Sequence, residues 1–431
     1  MSTDLDAFPG SSPRPGTSPV YDALATLESS GAVYALLRGG PTSGRHGGDV
    51  DILVCRADMP QAIRSLQAAG WLAAPAAGHG SHRFLVRYDR PTGTWQHLDL
   101  VTRLEFGPTQ AYRTPPSFAE SCLARRTRVN GIPTLHPDDA FWSLFVHLAW
   151  KDATSTRRSE LEDRARDASS TGPVADLVAR LLSEGTAAPE RALSAARAGE
   201  WDVVRCAQRR LRARWRRSAR MGVTWNHATS SVLRRGAISK DVGLSVALLG
   251  LDGAGKTTVA SKLQADIPWP TVSLYMGVWR ESALDHLVRH ITGARLALRL
   301  GRLTRTGLVT RYHRRLGRVV LLDRYVVDAN LPSPDLDWKG RISAVLVLRT
   351  ASPPDRLVFL DAPPEVVFAR KGELTISELE RRRECYHALK HRFPQLVTIN
   401  ADQPLDQVLR EMSELLWDDL VRSRSAPVAR G

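Results

Sequence analysis

An α/β architecture is predicted for this chain on three observations. The apolar run LSVALL at 244–249 leads directly into the glycine-rich turn Gly250–Gly255 and a helix-compatible stretch. From 240 to 421 short apolar runs alternate with longer helical patterns, the signature of a parallel sheet covered on both faces. From about 20 to 135 a smaller α/β unit is predicted, because β-like runs there alternate with a helix.

In chain order, residues 1–19 are rich in Pro, Ser and Gly and read as a disordered tail. The 20–135 unit has strand-like runs at Tyr34–Arg38, Asp51–Cys55, Phe84–Tyr88 and His97–Thr102, with a helix at Met59–Ala69. Residues 136–239 read as a helical connector, opening on FWSLFVHLAW and ending near the Arg-rich DVVRCAQRRLRARWRRSAR. In 240–421 the predicted strands are Leu244–Leu249, Thr271–Tyr275, Arg318–Leu322, Arg356–Leu360 and Leu396–Ile399. Residues 422–431 read as a second tail, and the chain has no internal repeat.

Composition excludes several classes. A chain of 431 residues calls for two or three domains, and 43% hydrophobic with 24% charged residues is the composition of a folded soluble protein. No apolar run approaches the roughly 18 residues of a membrane span. The first residues are acidic and proline-containing where a secretion signal is basic and apolar. Cys55, Cys122, Cys206 and Cys385 are far apart without CxxC spacing, which argues against a disulfide framework or a zinc site and for a reducing, cytoplasmic location.

The net charge of +15 is local. Between Trp201 and Lys240 there are 11 Lys/Arg against one acid, Asp202. The arginines at 205, 209, 210, 212, 214, 216, 217 and 220 read as surrounding a helix rather than forming one stripe. With Trp201 and Trp215 alongside, they could contact nucleic acid or an anionic membrane; a solvated linker helix against an acidic surface is the plainer reading. His136 and His147 have no ligand partners at metal spacing and read as structural.

Gly250-Leu-Asp252-Gly253-Ala254-Gly255-Lys256-Thr257-Thr258 fits G-x-x-x-x-G-K-[ST]. Glycines let successive backbone N–H groups turn toward phosphate oxygens, and the following helix adds its N-terminal dipole. Lys256 would reach the β- and γ-phosphates of ATP, and the Thr257 hydroxyl would complete a Mg²⁺ shell. A nucleotide phosphate site is therefore expected.

Downstream residues resemble the thymidylate kinase family of P-loop nucleoside monophosphate kinases. The loop with its acidic Asp252 resembles that family's phosphate loop, and Asp323-Arg324-Tyr325 resembles its DRY motif. Pro354–Glu365 followed by Arg370-Lys371 is similar to the strand leading to its lid, and Val397–Asp402 with Leu405–Val408 to its last strand and helix. The resemblance implies a three-layer P-loop fold, with Asp323 beside metal and phosphates, Arg324 holding donor and acceptor phosphates, and Arg370 closing over the transferring group. Taken alone, Arg370 is a surface arginine and Asp323-Arg324 an exposed pair; the ordered set carries the assignment. Three family features differ. The Arg-Glu-Pro-Gly-Gly stretch reads YMGVWRES, with Arg280-Glu281 the nearest match; the region after DRY reads VVDANLPSPD; and the segment before it is the basic TGARLALRLGRLTRTG. Donor chemistry is thereby implied, and the acceptor is left open.

In the N-terminal unit, Leu37-Arg-Gly39-Gly40 precedes Asp49-Val-Asp51, with Leu98-Asp99-Leu further on. This resembles the nucleotidyltransferase superfamily, and Gly44-Arg45-His46 the antibiotic nucleotidyltransferases in particular. Alternation puts Asp49 and Asp51 on one strand face. Together with Asp99 they could hold a two-Mg²⁺ site, or they could cap exposed strand ends.

The expected protein is a cytoplasmic fusion of a nucleotidyltransferase-like domain, a helical connector and a kinase domain using ATP and Mg²⁺. Its partners would be the nucleotide and a small phosphate acceptor, most simply a nucleoside monophosphate such as dTMP. The alternatives are a kinase/nucleotidyltransferase pair acting on a sugar or other small metabolite, and a non-enzymatic ATP sensor that engages a polyanion through the Arg-rich helix.

Overall fold

The computed structural model describes residues 18–38, 49–151, 154–182, 187–218, 220–239, 242–276, 294–329 and 338–425. Gly39, Gly40, the Gly44-Arg45-His46 stretch, Arg280-Glu281, most of VVDANLPSPD and Lys240 lie outside these residues, as do 1–17 and 426–431 of the two predicted tails. The chain forms two compact units, Met1–Asp89 with Gln96–Arg235, and Arg90–Trp95 with Gly236–Gly431.

The first unit begins with α1 (Pro19–Ser29), so Pro19 belongs to a helix rather than to a tail. It continues through β1 (Tyr34–Arg38), β2 (Val50–Val54), α2 (Met59–Ala68), β3 (Leu72–Ala73), β4 (Arg83–Asp89), β5 (Thr94–Val101), β6 (Glu105–Phe106), β7 (Tyr112–Arg113), α3 (Pro116–Ala124), β8 (Thr127–Val129) and β9 (Ile132–Thr134). Seven of these strands form a mixed sheet in the order β3-β4-β5-β2-β1-β9-β8, with β2 and β5 parallel and β1 antiparallel to β2. Alternation divides the sheet's apolar residues between two cores. Val50, Ile52, Leu98 and Leu100 pack with Leu24 and Leu27 of α1 and Leu66 of α2. Leu37, Leu53 and Val101 pack on the other face.

That second face is covered by the segment read from sequence as a connector. It comprises α4 (Pro137–Leu148), α5 (Ser155–Asp167), α6 (Pro173–Leu182), α7 (Ala187–Arg197), α8 (Trp201–Ser218) and α9 (Arg220–Gly236). Phe141, Trp142 and Phe145 of α4, with Val204, Leu211 and Trp215 of α8, join one core with Leu37 and Leu53. An apolar sheet face needs such a cover, because exposed it would cost about 25 cal/mol per Å².

The second unit contains β10 (Ser245–Leu249), α10 (Lys256–Asp266), β11 (Thr271–Tyr275), α11 (Ala294–Arg315), β12 (Val319–Asp323), α12 (Val326–Ala329), α13 (Trp338–Thr350), β13 (Arg356–Asp361), α14 (Pro364–Lys371), α15 (Ile376–Arg392), β14 (Leu396–Asn400) and α16 (Leu405–Ser425). The last helix runs past 421, where the sequence placed a tail. The five strands are parallel, in the order β11-β12-β10-β13-β14. β10 and β12 are buried at every position, as strands covered on both faces must be. This is the expected three-layer P-loop sheet. Its carboxyl edge gathers Gly250, Asp323 and Asp361 at the ends of three adjacent strands, where ligands bind in open α/β sheets. Among the described residues no helix is long and apolar enough to cross a membrane, and none of the four cysteines is in a disulfide.

Candidate functional site

The glycine-rich turn follows from backbone constraints. Gly250, Gly253 and Gly255 have φ of 147°, 109° and 89°, values that L side chains rarely adopt. A Cβ on Gly250 would also sit 2.7 Å from the Leu360 carbonyl oxygen of β13. Gly255 caps α10, Ala254 is buried, and Lys256 and Thr257 are the helix's first residues. Lys256 is only 6% exposed, and its ammonium donates to Gly250 O at 2.5 Å and Leu251 O at 2.9 Å. The turn thus holds its own cation with carbonyl groups. Thr258 lies on the exposed side of the helix start.

The other kinase-type candidates converge on this turn. Thr257 Oγ1 donates to Asp323 Oδ2 at 2.8 Å, while Asp323 Oδ1 is buried with no partner. Arg324 pairs with Asp252 Oδ1 at 2.7 Å, and Lys256 is 3.4 Å from the same oxygen. Arg324 reaches Asp252 from a left-handed backbone, φ 71°. Arg370, near the end of α14, donates to Gly253 O at 3.3 Å. An orphaned buried carboxylate oxygen beside a threonine hydroxyl is a donor set that suits Mg²⁺, a hard cation with oxygen ligands.

Beside the turn lies a cleft of about 270 Å³ lined by Asp252, Arg324, Asp328, Leu379, Arg382 and Tyr386, among others. Four of these residues were not singled out in the sequence. Tyr386 of α15 donates to Asp328 Oδ1 at 2.6 Å and stacks on Phe359. Burial pushes the Asp328 carboxyl up to about 6, against the opposing pull of Lys256 and the Tyr386 bond. Arg383 grips Asp361 with two bonds of 2.5 and 2.9 Å, tying α15 to the end of β13. These pairs are 58 and 22 residues apart in sequence, so no local pattern announced them.

In the first unit, Asp51 and Asp99 are register partners on parallel strands, and Asp49 stands two residues before Asp51 on the same face. Each acid is met by a basic side chain. A register shift between Leu36 and Arg38 turns Arg38 toward Asp51, Nε to Oδ2 at 2.7 Å. His82 Nδ1 donates to Asp99 at 2.7 and 2.9 Å, and His97 Nδ1 to Asp49 at 2.6 Å. The His97 bond holds the Asp49 carboxyl below its usual range, whereas burial pushes Asp51 up despite Arg38. Carboxylates already engaged by Arg38, His82 and His97 do not fit a pair of Mg²⁺ ions as they stand, and among the described residues no group of three His, Cys, Asp or Glu is arranged to hold a metal. His82 and His97 were missed in sequence because neither has a neighbour at motif spacing. His136 bonds Asp138 N–H at the start of α4, a structural role.

Comparison with known proteins matches both halves. A family described as an uncharacterised nucleotidyltransferase matches residues 30–170. The thymidylate kinases of Xanthomonas campestris pv. campestris strains B100 and 8004 are each 31% identical over 192 residues, covering 39% of this chain and 81% of theirs. Among solved structures, thymidylate kinase from Candida albicans is 18% identical, with a TM-score of 0.35, over 42% of this chain and 94% of that one. Deoxyadenosine kinase from M. mycoides is 10% identical, with a TM-score of 0.32, over 40% of this chain and 98% of that one. Phosphate loop, parallel sheet and curated relatives agree, and the chain belongs to the thymidylate kinase family.

Proposed function

We propose that the second unit transfers the γ-phosphoryl group of ATP to a nucleoside monophosphate, with dTMP, the acceptor that the relatives' name implies, as the first candidate. The observation that carries this reading is the convergence of Lys256, Thr257, Asp323, Arg324 and Arg370 on one glycine turn at the carboxyl edge of the sheet. Phosphoryl transfer needs positioning and charge neutralisation more than a protein nucleophile. That is what this set offers.

Lys256 would exchange Gly250 O and Leu251 O for β- and γ-phosphate oxygens, and the backbone N–H groups of the turn would take the β-phosphate. Mg²⁺, held by Thr257 and Asp323, would neutralise charge developing on the phosphates. Arg324 would hold the acceptor phosphate against the donor, with Asp252 fixing its guanidinium. Arg370 would cover the transferring group. An acceptor phosphate oxygen forms the new P–O bond as the γ-phosphorus bond to the β–γ bridging oxygen breaks, leaving ADP and a nucleoside diphosphate. No step is assigned to the first unit, whose three acids are already engaged.

The test is phosphoryl transfer from γ-labelled ATP with Mg²⁺ across dTMP, other nucleoside monophosphates and sugar phosphates. Labelled diphosphate from a nucleotide, reduced by about 10² or more in Lys256→Ala, is the expected result. ATP binding with no acceptor phosphorylated would overturn it.

A further inference from the structure

The Arg-rich helix α8 is one-sided, contrary to the sequence reading of arginines all round. Val204, Gln208, Leu211 and Trp215 recur at helical spacing and are buried. Gln208 donates to Phe145 O at 3.0 Å, and the Trp215 ring meets Phe106, Tyr112 and Trp150. This stripe anchors the helix and fixes which way its other side faces. On that other side Arg209, Arg214, Arg216 and Arg217 are exposed, and among the described residues no acidic side chain pairs with any of them. The other exposed residues of α8 are Asp202, Cys206, Arg210 and Ala213, none of them a large apolar side chain.

We infer that this face of α8 binds the phosphodiester backbone of a nucleic acid. The argument is charge complementarity on a pre-positioned surface. Four unpaired guanidiniums lie within nine residues, about 12 Å of helix axis, and like-charged neighbours at that spacing repel unless an anion lies between them. An acidic surface of the chain itself, which the sequence allowed as the neighbour of this helix, is not what α8 packs on; its neighbour is an apolar core. A lipid surface is the weaker fit, since a helix lying on a membrane presents apolar side chains beside its basic ones and this face presents none of size. Guanidinium also suits phosphate better than ammonium does, through paired donors in one plane. Contacts to the backbone alone carry no sequence preference, so the recognition is of a polyanion rather than of a sequence.

The test is fluorescence anisotropy of the full chain with end-labelled duplex DNA and duplex RNA of one length, titrated across salt. Four phosphate contacts give a slope of log K against log[salt] near −4, about a hundredfold loss between roughly 50 and 200 mM. Replacing Arg209, Arg214, Arg216 and Arg217 together by Gln is expected to flatten that slope to near zero with the thermal midpoint unchanged, because all four side chains are in solvent. The four-Lys variant, which keeps the charge, is expected to retain most of the slope and serves as the folding control. The ratio of DNA to RNA affinity identifies which duplex the face prefers. No binding at the lowest salt, a slope that survives the Gln substitutions, or binding to anionic vesicles but to neither duplex would overturn the inference. ATP turnover is independent of every arm, so this result and that of the kinase assay stand apart.

Discussion

Thr257 Oγ1 donates to Asp323 Oδ2 across 2.8 Å, joining the first turn of α10 to the end of the neighbouring strand β12 while the other carboxylate oxygen is buried and unpartnered. An unpaired buried carboxylate oxygen costs stability unless something outside the chain uses it. Asp323→Asn is therefore expected to lower kcat by about 10² or more, and to raise the Mg²⁺ concentration needed for half-maximal rate. The thermal midpoint without nucleotide should hold or rise. Steady-state kinetics across a Mg²⁺ series, together with thermal melts, checks both halves; a variant with unchanged kcat would remove Asp323 from the site.

Arg324 makes a similar exchange in its backbone. A non-glycine residue at φ 71° stores about 1 kcal/mol of strain, and the pair with Asp252 is what the strained backbone delivers. Arg324→Gly should raise the melting midpoint by a few degrees and still abolish most transfer, whereas Arg324→Ala should lose activity with no gain in stability. Equal midpoints for the two variants would show that no strain is stored there.

Much of this was written locally in the chain. Strand–turn–helix from Ser245 to Asp266 and the Asp323-Arg324-Tyr325 motif are contiguous patterns whose spacing is itself the chemistry, so they could be read directly. The predicted strand Arg318–Leu322 is observed one residue on, at Val319–Asp323, which makes Asp323 the strand's last residue. What escaped was set by tertiary contact. The Arg38–Asp51 pair depends on a register shift, the Asp328–Tyr386 bond spans 58 residues, and the one-sidedness of α8 becomes visible only where Trp215 meets Tyr112 and Trp150. An Arg-rich composition hides a helical stripe, because four buried positions in eighteen leave charge on every remaining side.

Gly250→Ala tests whether the turn's geometry is obligatory. Both the φ of 147° and the 2.7 Å approach to Leu360 O oppose a methyl group. The expected outcome is a loss of about 1–3 kcal/mol in stability and of ATP binding together, since relief requires moving the turn away from β13. Melts and nucleotide titration measure the two effects; an Ala variant that binds ATP normally would show that the turn can relax.

Two half-buried titratable groups, His147 and Asp328, should make the units answer pH in opposite senses. Burial, reinforced by Arg38, Lys151 and Arg157, drives His147 down to about 2, far below its ordinary 6.5. The native state therefore keeps it neutral while the unfolded chain takes a proton below 6.5. Its contribution is fully present above that value and is lost as pH falls, by up to about 1.4 kcal/mol per pH unit. Asp328, raised to about 6 from 3.8, works the other way: the native state binds the proton first, so the cost of its charge grows as pH rises from about 4 through 6. His147→Gln should flatten the acid-side loss of stability of the first unit between pH 6.5 and 5. Asp328→Asn should stabilise the second unit more at pH 7 than at pH 4.5, as far as the Tyr386 hydroxyl still finds an acceptor in the amide oxygen. Thermal melts of wild type and both variants across pH 4.5–7.5 would show the crossing. Parallel wild-type and variant curves would mean that neither group differs in protonation between the folded and unfolded chain.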